Sequence, residues 1–302
     1  MKRIMLKTGI ILSLTFYVCS GWAFTVNDSL GQHKFVAPAQ KVVTLNWGAT
    51  EEVIELGVVP LGIADINGYQ EWVVHPQLPQ SQDVGSRSEP NLEVLYHLKP
   101  DLIIIGSGQK QLLSQLQSIA PVLYFDNFRK DHNNIQAIDA SFIELARALG
   151  KEQQAIERLD RREKKIKQLS DQLHKKFGSH IPETTLIRFA SESHVRVYGK
   201  NSTVEAALKK LGIKSALDIQ PSQWGQVQRP ITDLSKINNG IVLYVEPFQY
   251  EAKLKSMPLW RYLPFVQKHH VGPVGPVWTY GGSISIEYIA KAITHSLLNI
   301  SY

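Results

Sequence analysis

Two stretches of the chain share one apolar pattern. In the first, Leu92, Leu95 and Leu98 recur at helical spacing, and beyond Pro100-Asp101 the apolar run Leu102–Ile105 follows. Laid over it without gaps, Ile231, Leu234 and Ile237 fall on the same three places and Ile241–Tyr244 on the same run, beyond Asn239-Gly240. The Pro and Gly dipeptides break the helix. Four consecutive apolar residues after each break read as a strand buried on both faces. Each copy predicts a short helix feeding a central strand, so the two copies predict two α/β lobes on one plan.

The rest of the chain fits that plan. In the first half, Val42–Leu45 reads as a strand, Thr50–Leu56 as a helix closed by Gly57, and Leu61–Ala64 as a second strand. Asp65–Glu89 has no sustained periodicity and reads as a surface loop carrying Tyr69 and Trp72. A helix around Gln111–Ile119 and a strand at Val122–Phe125 complete this half. Alternating strands and helices predict mostly parallel central sheets. From Ile138 the pattern is helical, and Lys151–Phe177 carries one stripe of Leu159, Ile166, Leu169, Leu173 and Phe177 among charged residues. A helix that long, between the two copies, predicts a rigid strut joining the lobes. The second lobe opens with strands at Thr184–Phe189 and Val195–Tyr198 and a helix at Thr203–Leu211 that Asn201 or Ser202 could cap. A loop at Asp218–Gln228, a Pro-rich stretch at Pro258–Pro276 and a last helix at Ile284–Leu298 follow. The expected divisions are a signal peptide over 1–23, an N-terminal α/β lobe over 24–145, the linking helix over 146–178 and a C-terminal α/β lobe over 179–302.

Composition changes this picture at the N-terminus. Lys2, Arg3 and Lys7 precede the apolar stretch Thr8–Val18, which is too short to span a bilayer, and Gly21-Trp22-Ala23 ends in a small residue. This predicts a secretory signal peptide cleaved after Ala23 and a product exported to the periplasm. Cys19 is the one cysteine; Val18 and Phe16 before it fit lipoprotein processing badly, and the mature chain has no disulfide to form. The formal charge of +6 includes the basic start of the signal peptide, and the remainder is spread along the chain, which speaks for solubility and against nucleic-acid binding.

Enzymatic motifs fail one by one. Gly106-Ser107-Gly108 follows a strand but lacks the later glycines of a dinucleotide loop, and there is no phosphate loop and no Gly-x-Ser-x-Gly elbow. His269-His270 stands without a companion cluster, so no metal site is expected. What remains is a set of aromatics at predicted strand ends or in loops: Trp47, Trp72, Trp224, Trp278 and Tyr280. In open α/β sheets such loops gather beyond the carboxyl ends of the strands, where ligands bind. Arg87, ahead of Glu89-Pro90, is placed either to pair with a carboxylate or to offer a planar fork to a ligand oxygen.

Several runs resemble one family. They are Trp72-Val-Val-His-Pro-Gln-Leu-Pro79, Asp83-Val-Gly-Ser-Arg-Ser-Glu-Pro-Asn-Leu-Glu93, Tyr198-Gly-Lys-Asn-Ser202, Gln223-Trp-Gly225, Met257-Pro-Leu-Trp260 with Leu263-Pro-Phe-Val266, and Pro276-Val-Trp-Thr-Tyr-Gly-Gly282. Their order over nearly the whole mature chain is similar to that of periplasmic ferric hydroxamate siderophore-binding proteins. The resemblance implies the helical-backbone periplasmic binding protein fold and a monomer with a shallow cleft. It also implies an iron(III)-siderophore ligand, no cofactor of its own and no catalysis, and delivery to an inner-membrane ABC permease. It implies that Arg87 hydrogen-bonds the iron-bound hydroxamate oxygens, that Trp224, Trp278 and Tyr280 wall the cleft, and that Trp47 and Trp72 are rim aromatics. The family's tyrosine after Ile105 is replaced by Gln109, with Ser107 as a nearby polar substitute. Arg196 stands where the family is apolar. It faces either solvent or the cleft, and in the cleft a second cation favours a carboxylate-bearing siderophore such as aerobactin over neutral ferrichrome or ferrioxamine. Glu93 is the expected permease-docking acid of the first lobe; Thr232 occupies the equivalent place in the second, and Asp233 is one residue out of register. The alternatives are a ferric catecholate, haem or cobalamin binder on the same fold, or a periplasmic siderophore-processing enzyme. A tris-catecholate would want several cleft cations, for which Arg87, Arg196 and Arg188 are the candidates.

Overall fold

The computed structural model describes residues 23–302. Most of the expected signal peptide, Cys19 included, lies outside the described residues. The chain starts with an antiparallel hairpin of β1 (Phe24–Asp28) and β2 (Gly31–Phe35). The sequence reading left this segment unassigned, because only Val26 of it is fully buried and no apolar run marks it.

The first lobe holds β3 (Val42–Thr44), β4 (Gly62–Ile63), β5 (Gln82–Asp83), β6 (Leu102–Gly106) and β7 (Val122–Phe125). Their order is β5-β4-β3-β6-β7, all parallel. The second holds β8 (Thr184–Phe189), β9 (His194–Tyr198), β10 (Gln226–Pro230), β11 (Ile241–Val245) and β12 (Val271–Val274), in the order β10-β9-β8-β11-β12. Here β8, β11 and β12 are parallel and β9 and β10 antiparallel.

The repeat is real and its two strands hold equivalent places. β6 and β11 are each fourth of five strands and buried along their whole length. They are one place off centre, because two further strands add beyond β3 and β8 and only one beyond β6 and β11. The repeated helices differ in kind. Leu92–Leu98 is an α-helix whose N-cap Asn91 accepts from Val94 N at 3.1 Å, and Lys99, in the left-handed region, ends it before Pro100. Ile231–Lys236, with no side-chain cap, is a 3-10 helix.

Two segments read as loops and the Pro-rich stretch carry regular structure. Asp65–Glu89 contains a helix, Ile66–Trp72, started by the Asp65 carboxylate accepting from Gly68 N, and the edge strand β5. Asp218–Gln228 runs into β10, and Pro258–Pro276 contains two short helices and β12. All three strands are sheet edges, where a polar stretch or a proline is tolerated and the apolar signature is missing. The helix expected at 111–119 is a 3-10 turn, Ser107–Leu112, followed by Leu113–Gln117.

The long helix spans Glu152–Phe177, 26 residues, or about 39 Å. Its inner stripe serves both lobes: Ala155 packs into a first-lobe core with Phe142 and Leu145, and Ile166, Leu169 and Leu173 into a second-lobe core with Leu208 and Ile289. The last helix, Ser285–Asn299, packs against it. Among the described residues no helix is long and apolar enough to cross a membrane.

Candidate functional site

The carboxyl ends of the parallel strands of both sheets point at one cleft. Into it come the segments after β3, β4, β5, β6 and β7 from one side and those after β8, β11 and β12 from the other. It has two compartments. One, of about 330 Å³, is lined by Asn46, Glu52, Ser107, Gln109, Phe128, Trp224 and Tyr280 among others. The second, of about 1140 Å³, is lined by Asp65, Trp72, Arg188, Phe189 and Phe248 among others. Arg87, Arg196 and Trp278 border both.

Arg87 lies where the compartments meet. Its guanidinium carbon is 3.5 Å from the centroid of the Trp47 ring and 5.6 Å from that of Trp278, so the planar cation rests on aromatic faces. Its Nε is 3.4 Å from Asp65 Oδ2. Burial draws the Arg87 pKa below the ordinary arginine value, and Asp65 draws it back up. The group remains a cation with one edge turned to the cleft.

Trp47 is not a loop residue. Asn46, whose side chain accepts from Gly48 N and Ala49 N, caps a helix that begins at Trp47 and runs to Glu55. Trp47 is 2% exposed, and its indole N–H donates to the carbonyls of Ala64 and Asp65. It is therefore the platform beneath Arg87. Trp72 closes the next helix and borders the larger compartment.

The aromatics form one continuous wall. Trp278 meets Trp47 edge-on at 4.8 Å, Tyr280 meets Trp278 at 5.3 Å, Phe128 meets Tyr280 at 6.4 Å, and Trp224 stacks on Phe128 at 6.0 Å. Trp224 is 36% exposed and has φ 67°, a left-handed backbone that a bulky side chain rarely adopts. Such strain is characteristic of residues aimed at a ligand. The Tyr280 hydroxyl is buried without a hydrogen-bond partner, and burial pushes its pKa up, so it stands as a donor.

Gln109 lines the smaller compartment and also ties two backbone segments together. Its Oε1 accepts from Gly106 N at 3.1 Å and its Nε2 donates to the Arg87 carbonyl at 3.1 Å. Both ends of the amide are engaged in tying the Arg87 segment to the end of β6. Ser107 opens the 3-10 turn and lines the smaller compartment, half-buried. Arg196 borders both compartments. Glu93 and Asp233 lie away from the cleft, in the first turns of the two repeated helices, Glu93 3.8 Å from the His97 ring and Asp233 3.8 Å from the Lys236 ammonium.

Three cleft residues escaped the sequence reading or were left marginal. Phe128 carries no periodic signal. Glu52 lies inside the helix expected at Thr50–Leu56; it is 4% exposed, accepts from Ser283 N at 3.0 Å, and burial pushes its pKa up to about 8. A Cβ at Gly282 would overlap the Glu52 carboxylate, so glycine is what lets the Trp278–Gly282 segment come so close. Arg188 lies inside an apolar strand pattern, yet borders the larger compartment. Among the described residues no cluster of three or more His, Cys, Asp or Glu could hold a metal ion.

The chain matches the periplasmic binding protein family over residues 42–274. It is 42% identical to the siderophore-binding protein FhuD of Vibrio cholerae, solved with Fe3+-Desferal bound, with a TM-score of 0.84 covering 86% of this chain and 98% of that one. It is 30% identical over 268 residues to the iron(3+)-hydroxamate-binding protein FhuD of Escherichia coli K12, covering 88% of this chain and 89% of the relative. The identity is also 30%, over 283 residues, to the Fe(3+)-citrate-binding protein YfmC of Bacillus subtilis, covering 91% and 86%. The match over most of the length, together with two α/β lobes bridged by one long helix, makes this chain a member of the periplasmic binding protein family.

Proposed function

We propose that this protein is the periplasmic substrate-binding component of an ABC importer and captures a ferric siderophore of the hydroxamate type. The observation that carries the reading is Arg87, a planar cation laid on Trp47 at the junction of two compartments and continued by the Trp278–Tyr280–Phe128–Trp224 wall. A ferric trihydroxamate is a compact, largely apolar body with a patch of partly negative oxygens. The wall suits the body, and the guanidinium with the unpartnered Tyr280 hydroxyl suits the oxygens. Binding without catalysis is the reading we adopt, supported by relatives that are binding proteins. The resemblance to hydroxamate binders from two organisms supports the ligand class.

Intrinsic tryptophan fluorescence tests it, because Trp224 and Trp278 line the cleft. Titration with ferric hydroxamates should give saturable quenching with a submicromolar constant, about −8 kcal/mol or better. Quenching by a ferric tris-catecholate alone would mean that the cleft serves another ligand class.

A further inference from the structure

Arg188 and Arg196 stand directly opposite one another across the antiparallel pair β8–β9. Ile187, Phe189, Val195 and Val197 pack into the core on one face of the sheet. Alternation sends the two arginines together to the opposite face, and both border the larger compartment. Like charges at directly opposed positions repel. Proteins normally relieve such a pair with a carboxylate, yet among the described residues neither arginine has an ion-pair partner. Arg188 is 8% exposed, its Nη2 donates to the Val277 carbonyl at 3.2 Å, and its Nε is buried with no partner. The carboxylates bordering this compartment do not fill the gap: Asp65 faces Arg87, Glu251 is held by Lys255 and the Tyr244 hydroxyl, and Glu71 and Glu246 make no ion pair.

We infer that Arg188 and Arg196 form a carboxylate-binding site in the larger compartment, which makes the preferred ligand a ferric siderophore carrying at least one free carboxylate. The inference rests on the siderophore reading and deepens it. The metal core sits at Arg87 and the aromatic wall, and an acidic arm extends between the two arginines, whose planar forks match a carboxylate. The missing counter-ion of the pair is then supplied by the ligand.

A matched pair of ligands isolates this arm: ferric desferrioxamine B acylated on its terminal amine with either acetate, which is neutral, or succinate, which adds one carboxylate. Fluorescence titration should give about tenfold tighter binding for the succinyl complex. The preference should vanish in Arg196→Gln and in the Arg188→Gln/Arg196→Gln double variant, the two complexes then binding each variant with equal affinity. Because Arg188 also lies 5.1 Å from the Trp72 ring and 5.8 Å from that of Trp278, a purely structural role needs its own readout. Ligand-free Arg196→Gln should unfold at a temperature equal to or above that of the wild type, since it relieves a like-charge pair. A lower midpoint would make the arginine a structural element and overturn the assignment. Equal affinity for the two complexes, or a preference that survives both variants, would overturn the carboxylate site and leave the hydroxamate reading standing. Binding of neither complex would remove both.

Discussion

Arg87 owes its position to residues that offer the ligand little themselves. Trp47 beneath it is buried and hydrogen-bonded, and the Gln109 amide pins its carbonyl to the end of β6. Arg87→Ala should weaken ferric hydroxamate binding by about 2–5 kcal/mol, the range for removing one partner of a charge pair that the ligand buries. Gln109→Leu removes both of the amide's hydrogen bonds and leaves the Gly106 N–H without its acceptor, so it should cost roughly 1–3 kcal/mol of stability. It should weaken binding less than Arg87→Ala, because the guanidinium remains. Denaturant unfolding and ligand titration of the two variants measure these effects; a Gln109→Leu protein as stable as wild type would show that the amide does not tie the Arg87 segment. At this scale the sequence was uneven as a guide. Arg87 was visible because it precedes Glu89-Pro90 at the mouth of the first repeat. Arg188 was harder to see, because the other five residues of β8 read as an ordinary strand and only the strand pairing shows which arginine it faces. Gln109 was found as a place but not as a role, since nothing in one sequence tells whether an amide spends its hydrogen bonds on a ligand or on its own backbone.

At the level of elements, the helix Trp47–Glu55 is bound to the segment Ser283–Tyr288 through carboxylates on its inner face. Glu51 takes the Ser285 hydroxyl, Glu52 the Ser283 amide, and Glu55 both the Tyr288 hydroxyl and Arg158, which also reaches Glu287. Burial raises the pKa of Glu51 well above the carboxylate range and that of Glu52 to about 8. A carboxyl that keeps its proton when folded stabilises the fold fully at acid pH, below the unfolded value near 4.5. Between that value and about 8 the unfolded chain has lost the proton and the folded one still holds it, so stability falls as pH rises, by at most about 1.4 kcal/mol per unit for each such group. Glu52→Gln keeps an acceptor for Ser283 N and cannot ionise. Its stability relative to wild type should therefore improve steadily from pH 5 to pH 8.5 in urea titrations, and a difference that does not vary with pH would show that Glu52 is ionised in the fold. Periodicity revealed the repeated helix–strand units, because those positions are set by burial. It did not reveal the edge strands β5, β10 and β12, which are held by backbone pairing and carry little apolar signal.

For the whole molecule, three sets of contacts hold the lobes in one arrangement. The long helix belongs to both cores. Arg158 and Arg162, buried on its inner face, join Glu55 and Asp139 of the first lobe to Glu287 and the Ser283 carbonyl of the last segment. Between the lobes, Asn134 also donates to the Asn201 carbonyl at 2.9 Å and Asn201 donates to the Arg129 carbonyl at 2.8 Å. A hinge would have to break buried charged contacts, each costing several kcal/mol once one partner is left alone. The radius of gyration, about 19 Å for a compact chain of this size, should therefore stay the same within error when small-angle scattering is repeated with saturating ferric hydroxamate. Arg158→Met, which frees both Glu55 and Glu287, should be the variant in which a ligand-dependent change appears. If the lobes do not close, an ABC permease has no large movement to read and must recognise the lobe surfaces themselves. Glu93 and Asp233, in matching turns of the repeated helices and away from the cleft, are suited to that contact. A Glu93→Ala/Asp233→Ala protein is then expected to bind ligand as the wild type does and to fail in uptake. Normal uptake by that variant would remove the docking assignment, and a clear contraction of the wild-type protein on binding would remove the rigid strut from which it follows.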